Sequence, residues 1–209
     1  MHSLSTFFVL GYHGCDRSIG EQLLNNNPFE PSNNTYDWLG AGVYFWESNP
    51  ERALLWARNQ AQRGRIHDPY VVGAVIDLGF CLDLTTSNGI RAVQVAYTGL
   101  RSRLEKTGIP LPQNRDPESL DFGDREDSDR VLRELDCAVI NYLHQVREES
   151  QLAHFDSVRG LFPEGGSAFD GSMFMEMTHT QICVRNQENV HGVFRVHERY
   201  FSRIKPESD

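Results

Sequence analysis

Two short motifs carry the residue types best suited to hold a ligand. Residues 11–15 read Gly-Tyr-His-Gly-Cys, and residues 40–45 read Gly-Ala-Gly-Val-Tyr-Phe. In each motif, glycines accompany a histidine or a tyrosine that can form hydrogen bonds or stack. Because glycine has no side chain, a ligand can lie directly against its main-chain amide. The pair of motifs predicts a cofactor that is held largely by backbone groups.

The two motifs and a later strand resemble the poly(ADP-ribose) polymerase and diphtheria-toxin-like branch of the ADP-ribosyltransferases. The signature of that branch is a histidine on one strand, a tyrosine on the next and a glutamate on a later one. His13 and Tyr44 match the first two positions. Residues 179–186, which read His-Thr-Gln-Ile-Cys-Val-Arg-Asn, resemble the glutamate strand, with Gln181 at the glutamate position.

The resemblance implies that NAD is the substrate and that no metal takes part. It assigns His13 to a hydroxyl of the adenine-side ribose and the Gly14 backbone to the nicotinamide amide. It assigns Tyr44, together with Trp56, to stacking on the nicotinamide ring, which contributes about 1 kcal/mol beyond burial. The full predicted NAD-binding set is His13, Gly14, Gly42, Tyr44, Trp56 and His179.

Gln181 changes the expected chemistry. Cleavage of the nicotinamide–ribose bond passes through an oxocarbenium-like state with positive charge on the ribose. A carboxylate stabilises that charge and accepts a hydroxyl hydrogen bond, whereas the neutral amide of Gln181 only accepts the bond. Some branches of the resembled superfamily also lack the glutamate and transfer a single ADP-ribose, so the resemblance implies transfer of single ADP-ribose units, or hydrolysis, instead of polymer growth. Glu47, Glu164 and Glu176 are candidates for the missing charge, and the sequence leaves the choice open.

Each of these residues also has a structural interpretation. A histidine at a strand end, such as His13, is often a hydrogen-bonded structural residue. Tyr44 can be a core aromatic of a strand, and Trp56 can pack its helix onto the sheet. His179 and Gln181 alternate on one strand and share a face, which without the resemblance is an ordinary polar strand face.

Composition limits the class of protein. A chain of 209 residues is long enough for one domain with a full core, so we predict a single domain over residues 1–209. The formal net charge of −9 argues against broad attraction to nucleic-acid phosphates. The four cysteines include no Cys-x-x-Cys pair, which indicates free thiols in a reducing compartment. No segment reaches the length of a membrane helix, so we expect a cytoplasmic protein without a membrane partner.

The order of the predicted elements indicates an α+β fold. Helical periodicity predicts a helical insertion at about residues 88–150, between strands near both ends of the chain. This order favours a mixed or antiparallel sheet with flanking helices. The resemblance implies that this sheet is split as in the ADP-ribosyltransferases. Besides the strand of Tyr44, the predicted strands cover residues 7–12, 70–78, 155–162, 179–185 and 190–196.

Local signals place the helix starts and the loops. Ser18 with Glu21, and Ser48 with Glu51, have the Ser-x-x-Glu form of a helix capping box. Residues 25–38, rich in Asn and Pro, are predicted to form a loop that serves as a lid over the ligand. Residues 110–129 are polar and acidic, which predicts an exposed excursion from the domain.

The motifs together support the hypothesis of a mono-ADP-ribosyltransferase of the toxin or defence-effector type, acting on a protein or nucleic-acid acceptor. In this hypothesis the side chains of His13, Tyr44 and Gln181 converge on one crevice. Two alternatives stay open. One is a non-catalytic module that senses NAD or ADP-ribose, and the other is an enzyme similar to RNA 2′-phosphotransferase, which needs several basic residues around a phosphate.

Overall fold

In the computed structural model, residues 8–115 and 132–201 of the chain are described. They form a mixed α+β fold with four helices, a seven-stranded sheet and a small two-stranded sheet. The helices are α1 Arg17–Leu24, α2 Pro50–Gln62, α3 Ser87–Thr107 and α4 Glu134–Glu149. The strands are β1 Phe8–Asp16, β2 Val43–Glu47, β3 Pro69–Asp77, β4 Cys81–Asp83, β5 Asn114–Arg115, β6 Leu132–Arg133, β7 Ser157–Phe162, β8 His179–Val184 and β9 Val190–Arg195.

The strand order of the large sheet is β4-β7-β8-β2-β1-β3-β9. The pair β4–β7 is parallel, and the other neighbours are antiparallel. The predicted α+β class is confirmed. The later predicted strands lie within about two residues of the observed ones, but β1 extends to Asp16, four residues past its predicted end, so His13 lies within the strand and not at its end. Residues 1–7, 116–131 and 202–209 lie outside the described residues, and with them parts of the predicted domain, the first strand, the helical insertion and the acidic excursion.

The sheet is weakly joined between β1 and β2. All nine residues of β1 pair with β3. Only Gly11 and Tyr12 pair with β2, opposite Glu47 and Trp46. Beyond Tyr12 the two strands separate, and the His13 imidazole bridges them by donating from Nδ1 to the Tyr44 carbonyl at 2.9 Å.

The two faces of the sheet have different cores. On one face, which we call the α1 face, Leu23 of α1 packs with Phe45 and Ile182. On the other, the α2 face, Ala53 of α2 packs with Trp46. Residues of α3 and α4 pack over the β7–β8 end of the α2 face. Because side chains alternate along a strand, neighbouring residues of β2 point to opposite faces.

Both predicted capping boxes begin at a different residue from the one expected. Helix α1 is capped by Asp16, whose carboxylate accepts from the Ser18 amide at 3.0 Å. Helix α2 is capped by Asn49, whose Oδ1 accepts from the Arg52 amide at 2.9 Å. Asp16 also accepts from two amides near residue 67, which fixes it in place. Each cap therefore lies one or two residues from the serine that the pattern indicated.

A buried histidine of α4 makes the fold sensitive to acid. The His144 side chain is buried against Arg185, which donates from Nη1 to Nδ1 at 2.9 Å. Burial, followed by the charges of Arg185, Arg147 and His154, lowers the pKa of His144 from its ordinary value near 6.5 to about 3. The folded protein therefore holds this imidazole neutral at pH values where the unfolded chain is protonated.

We expect the free energy of unfolding to fall as the pH drops below about 6.5, because only the unfolded state then binds the proton. His144 alone contributes a loss of about 2 kcal/mol between pH 6.5 and pH 5. Urea unfolding at both pH values measures the loss. The variant His144→Phe should flatten the dependence, and an unchanged slope in that variant would contradict the assignment.

Candidate functional site

His13 lies on the α1 face. Its ring packs edge-on against Phe29, with centroids 5.4 Å apart, and lies 5.7 Å from Phe45. Burial lowers the pKa of His13, and the bond to the Tyr44 carbonyl opposes that shift only in part. The ring borders a cavity of about 270 Å³, smaller than the range of about 300–1,000 Å³ typical of ligand pockets. This cavity is too small to enclose a dinucleotide.

Tyr44 lies on the α2 face and is engaged with the second glycine motif. Its hydroxyl donates to the Gly40 carbonyl at 2.8 Å and accepts from the Leu39 amide at 3.0 Å. Burial raises the pKa of Tyr44 well above 10, so the phenol stays protonated. Tyr44 therefore fixes the turn before β2. This is a structural role of the kind that the sequence left open.

Gln181 lies on the same face as Tyr44. In the β2–β8 register it is opposite Trp46, while Tyr44 is opposite Cys183. The Gln181 Oε1 accepts a hydrogen bond from Trp38 Nε1 at 2.6 Å. Its carboxamide is thus held beside two indole rings.

The three signature side chains therefore do not converge on one crevice as the sequence predicted. Their strands are immediate neighbours in the order β8-β2-β1. Tyr44 and Gln181 point to the α2 face, but His13 points to the α1 face with Phe45. The cause is the register of the two strands. Extending the observed β1–β2 pairing by one residue places His13 opposite Phe45 and not opposite Tyr44. Because residues directly opposite each other share a face, His13 lies on the face of Phe45.

Protein atoms, and not free space for a ligand, lie where a side chain would project from the glycines of the two motifs. A side chain at Gly14 would begin 2.4 Å from the Ala53 carbonyl oxygen and 3.2 Å from the Trp56 ring. A side chain at Gly42 would begin 2.6 Å from the Cys183 sulfur. Gly14 thus lets α2 approach β1, and Gly42 lets the turn before β2 approach β8. Trp56 lies directly beside Gly14.

The variant Gly14→Ala is expected to lower the free energy of unfolding by about 1–3 kcal/mol, because α2 must move away from the new methyl group. Gly192→Ala is the control, since a methyl group there meets no atom within 4 Å. Its effect should stay within about 0.5 kcal/mol. Urea denaturation of both variants measures the difference. Equal stabilities would show that α2 does not need the glycine.

Aromatic rings form a continuous group on the α2 face, which we call the aromatic cluster (Trp38, Trp46, Trp56, Phe162 and His179). Ring centroids are 5.7 Å apart for Trp46 and Trp56, 6.3 Å for Trp46 and His179, and 5.4 Å for Phe162 and His179. Trp38 adjoins Phe162 at 5.1 Å. Trp56 is 37% exposed, so the cluster opens to solvent at that ring. All three tryptophans of the chain belong to it.

A polar group adjoins the aromatic cluster, and we call it the polar cluster (Trp46, Arg52, Glu164 and His179). Arg52 forms an ion pair with Glu164, and both side chains are largely buried. The Glu164 carboxylate lies 3.8 Å from His179 Nδ1, which donates to the Met177 carbonyl at 2.8 Å. In the described part of the chain, four buried side-chain nitrogens lack a hydrogen-bond partner, and three are in this cluster: Trp46 Nε1, Arg52 Nε and His179 Nε2.

Sequence reasoning missed Trp46, Arg52 and Phe162. A signal for Trp46 was present, because it alternates with Tyr44 on β2 and must share its face. Arg52 lies in the first turn of α2, four residues before Trp56, and points toward the same strand edge. Phe162 carries no such signal, since only the tertiary structure brings the end of β7 beside His179.

The three candidate acids lie in different surroundings. Glu47 is on the α1 face, where it accepts from Arg159 Nε at 2.6 Å. Glu176 is exposed to solvent. Glu164 alone of the three belongs to the polar cluster, on the same face as Gln181. The structure therefore separates acids that the sequence could not distinguish.

The predicted lid is fixed in this structure. The Phe29 amide and carbonyl both bond to the Gln187 side chain, at 3.0 and 2.9 Å. Ser32 pairs with Gly42, and Trp38 is 9% exposed. Two buried side chains, Phe29 and Trp38, thus anchor the segment to the core, while most of its other residues are exposed. Phe29 covers His13 on the α1 face.

A comparison with known proteins finds a distant relative. An uncharacterized protein of Methanocaldococcus jannaschii is 24% identical over 195 residues, which cover 84% of this chain and 81% of that protein. No protein-family model matches the chain, and no solved structure matches it. Among the helices of the described residues, none is both long and apolar enough to cross a membrane.

Proposed function

We propose that the protein is an NAD-dependent mono-ADP-ribosyltransferase that transfers ADP-ribose to a protein or nucleic-acid acceptor and releases nicotinamide. The observation that carries the proposal is the order β8-β2-β1, in which the strands of Gln181, Tyr44 and His13 are immediate neighbours. The separation of β1 from β2 beyond Tyr12 adds support, because it opens the sheet at the first motif.

The proposal places the nicotinamide ring at the aromatic cluster. Trp56 is half-exposed beside Gly14 and offers a flat apolar surface for stacking. Gln181 lies on the same face next to Trp46 and supplies a carboxamide that can bond to a ribose hydroxyl. Such a site contributes mainly by holding the nicotinamide ring and the ribose in a fixed orientation, because orientation lowers the activation barrier for cleavage of the bond between them.

The residues present favour transfer of a single ADP-ribose unit. They also favour a reducing compartment. The amide of Gln181 carries no charge, so it orients a ribose without the electrostatic stabilisation that a carboxylate provides. All four cysteines are free thiols, and burial raises the pKa of each of them. Free thiols in every position fit a cytoplasmic protein. The toxin or defence-effector type is proposed on the resemblance of the motifs alone.

One observation favours a second candidate, the non-catalytic sensor of NAD or ADP-ribose. Gln181 already accepts a bond from Trp38, and the charge of Glu164 is matched by Arg52. Because protein partners already occupy the polar groups of Gln181 and Glu164, the site can bind a ligand without cleaving it. The RNA 2′-phosphotransferase alternative gains no such support, because Arg159 and Arg52 are committed to carboxylates.

The experiment combines turnover with binding. The purified protein is incubated with NAD labelled in the adenine ring, with and without a cell lysate, and free nicotinamide is measured by chromatography. The transferase predicts nicotinamide release and label on a macromolecule. Thermal stabilisation by NAD without release identifies the sensor instead. Absence of release, transfer and stabilisation would overturn both.

A further inference from the structure

Helix α2 and the turn after it form a basic segment in an acidic protein. Residues 52–67 contain four arginines and no aspartate or glutamate, although the chain as a whole has a formal net charge of −9. One of the four, Arg52, belongs to the polar cluster. The other three, Arg58, Arg63 and Arg65, are exposed, and none of them takes part in a salt bridge within the described residues. Three positive charges on one stretch of surface are therefore not neutralised there.

The end of α2 brings two of these arginines into line with Trp56. Trp56, Gln60 and Arg63 are separated by four and then three residues, and residues at this spacing share one face of a helix. Gly64, with a φ of +70°, ends the helix, and the Arg65 amide turns back to donate to the Gln60 carbonyl at 2.9 Å. The Arg65 guanidinium also donates to Gln60 Oε1 at 3.4 Å. A row that begins at the exposed indole thus ends in two guanidinium groups.

This row of polar side chains, which we call the arginine ridge, consists of Asn59, Gln60, Arg63 and Arg65. Its arginines are not needed to cap α2, because backbone amides at the end of the helix already bond to the carbonyls of the last turn. The ridge offers guanidinium groups next to carboxamides, which is a combination that binds phosphate oxygens through charge and hydrogen bonds.

The surface beyond Trp56 has no apolar anchor. Among the described residues, no exposed large hydrophobic side chain lies between Trp56 and Phe80. The centre of a stable protein interface contains buried aromatic or aliphatic side chains, and the ridge provides none. Binding to a nucleic-acid backbone depends instead on contacts between basic side chains and phosphates. The ridge therefore fits a nucleic acid better than a protein.

The position of the ridge connects it to the proposed reaction. Trp56 and Arg63 are seven residues apart on α2, which corresponds to about 10 Å along the helix axis. A strand whose phosphates bind at Arg63 and Arg65 therefore extends to the ring on which nicotinamide is proposed to stack. Bases of a duplex are paired and stacked, so an acceptor base has to be unpaired to reach the ribose there.

We infer that the acceptor is a single-stranded nucleic acid whose phosphates bind Arg63 and Arg65. This inference rests on the proposed function and names its acceptor class. In the transfer, the bond between ribose C1′ and the nicotinamide nitrogen breaks, and its electron pair leaves with that nitrogen. An oxygen or nitrogen of the strand bonds to C1′ and loses its proton to solvent. The negative net charge of the rest of the protein repels the strand elsewhere, which confines binding to the ridge.

The test measures binding of fluorescein-labelled single-stranded DNA and RNA of about 20 nucleotides by anisotropy, without NAD. The double variant Arg63→Gln, Arg65→Gln should bind about tenfold more weakly than the wild type in about 150 mM salt. The slope of log affinity against log salt should fall by about 0.7 for each arginine removed. The matched control is Arg91→Gln, Lys106→Gln, which removes two exposed cations of α3 that form no salt bridge within the described residues. The control should bind like the wild type, and circular dichroism verifies that both variants fold.

Strand binding does not require NAD cleavage, so the outcomes separate this inference from the proposed function. Binding that depends on Arg63 and Arg65, without nicotinamide release, would leave the ridge as a nucleic-acid surface and remove the transferase. Label passed from NAD to an oligonucleotide would identify the acceptor. The inference is overturned if neither oligonucleotide binds the wild type, if both double variants weaken binding equally, or if a polyglutamate peptide binds as tightly. Label on lysate proteins alone would also overturn it and leave the transferase intact.

Discussion

Replacing Trp56 with alanine should weaken NAD binding about tenfold while leaving the fold intact. The indole is 37% exposed and lies beside Gly14 and Trp46, so it presents an open face for a nicotinamide ring. Loss of stacking and of the apolar surface that it buries amounts to about 1.4 kcal/mol, which corresponds to a factor of ten in the dissociation constant. Fluorescence of the remaining tryptophans, or calorimetry, measures the change.

Tyr36→Ala is the matched control for Trp56→Ala. Tyr36 is 38% exposed, close to the exposure of Trp56, and no ring contact joins it to the aromatic cluster in the described residues. Its loss should leave the affinity for NAD unchanged within about twofold. Equal weakening by both substitutions would mean that exposed aromatic surface in general, and not the cluster, binds the dinucleotide.

The adjacency of the three motif strands could be predicted from the sequence, but the orientation of their side chains could not. The motifs identified β1, β2 and β8 and the chemistry that each carries. A shift of one residue between two strands reverses the face of every side chain. Only two residue pairs join β1 to β2, so a local pattern contains nothing that fixes whether His13 lies opposite Tyr44 or Phe45.

The polar cluster depended on contacts that no local pattern encodes. Glu164 was one of three candidate acids, and only the packing of the loop after β7 against α2 brings it to Arg52. Arg52 itself appeared as an ordinary residue of a helix N-terminus. The caps show the same limit at short range, because the charged Asp16 carboxylate accepts from both the amide and the hydroxyl of Ser18, so the serine that the pattern indicated is a donor and not the cap.

A second large effect is expected at Arg159, on the α1 face. Its Nε donates to Glu47 at 2.6 Å and its Nη1 donates to Asp83 at 3.2 Å. Glu47 ends β2 and Asp83 ends β4, so one guanidinium connects strands that are not neighbours in the sheet. Burial alone would raise the pKa of Asp83, but bonds from Thr85 and the charge of Arg159 outweigh burial and lower it.

The variant Arg159→Met should lower the free energy of unfolding by about 3 kcal/mol, because two largely buried carboxylates lose their shared cation. Arg195→Met is the control. Arg195 pairs with Glu21 at the surface, where both side chains are about half-exposed, and such pairs contribute less than about 1 kcal/mol. Urea unfolding in 150 mM salt measures both variants.

Arg159 also bears on the site, because Glu47 directly follows Trp46 and precedes α2. Once Glu47 is released, the end of β2 and the first turn of α2 lose their anchor, and Arg52 and Trp56 move with them. Arg159→Met should therefore weaken NAD binding although no atom of Arg159 lies on the α2 face. A variant that loses stability as expected but binds NAD with wild-type affinity would show that Arg52 and Trp56 are positioned by α2 packing alone, through Ala53 and Gly14.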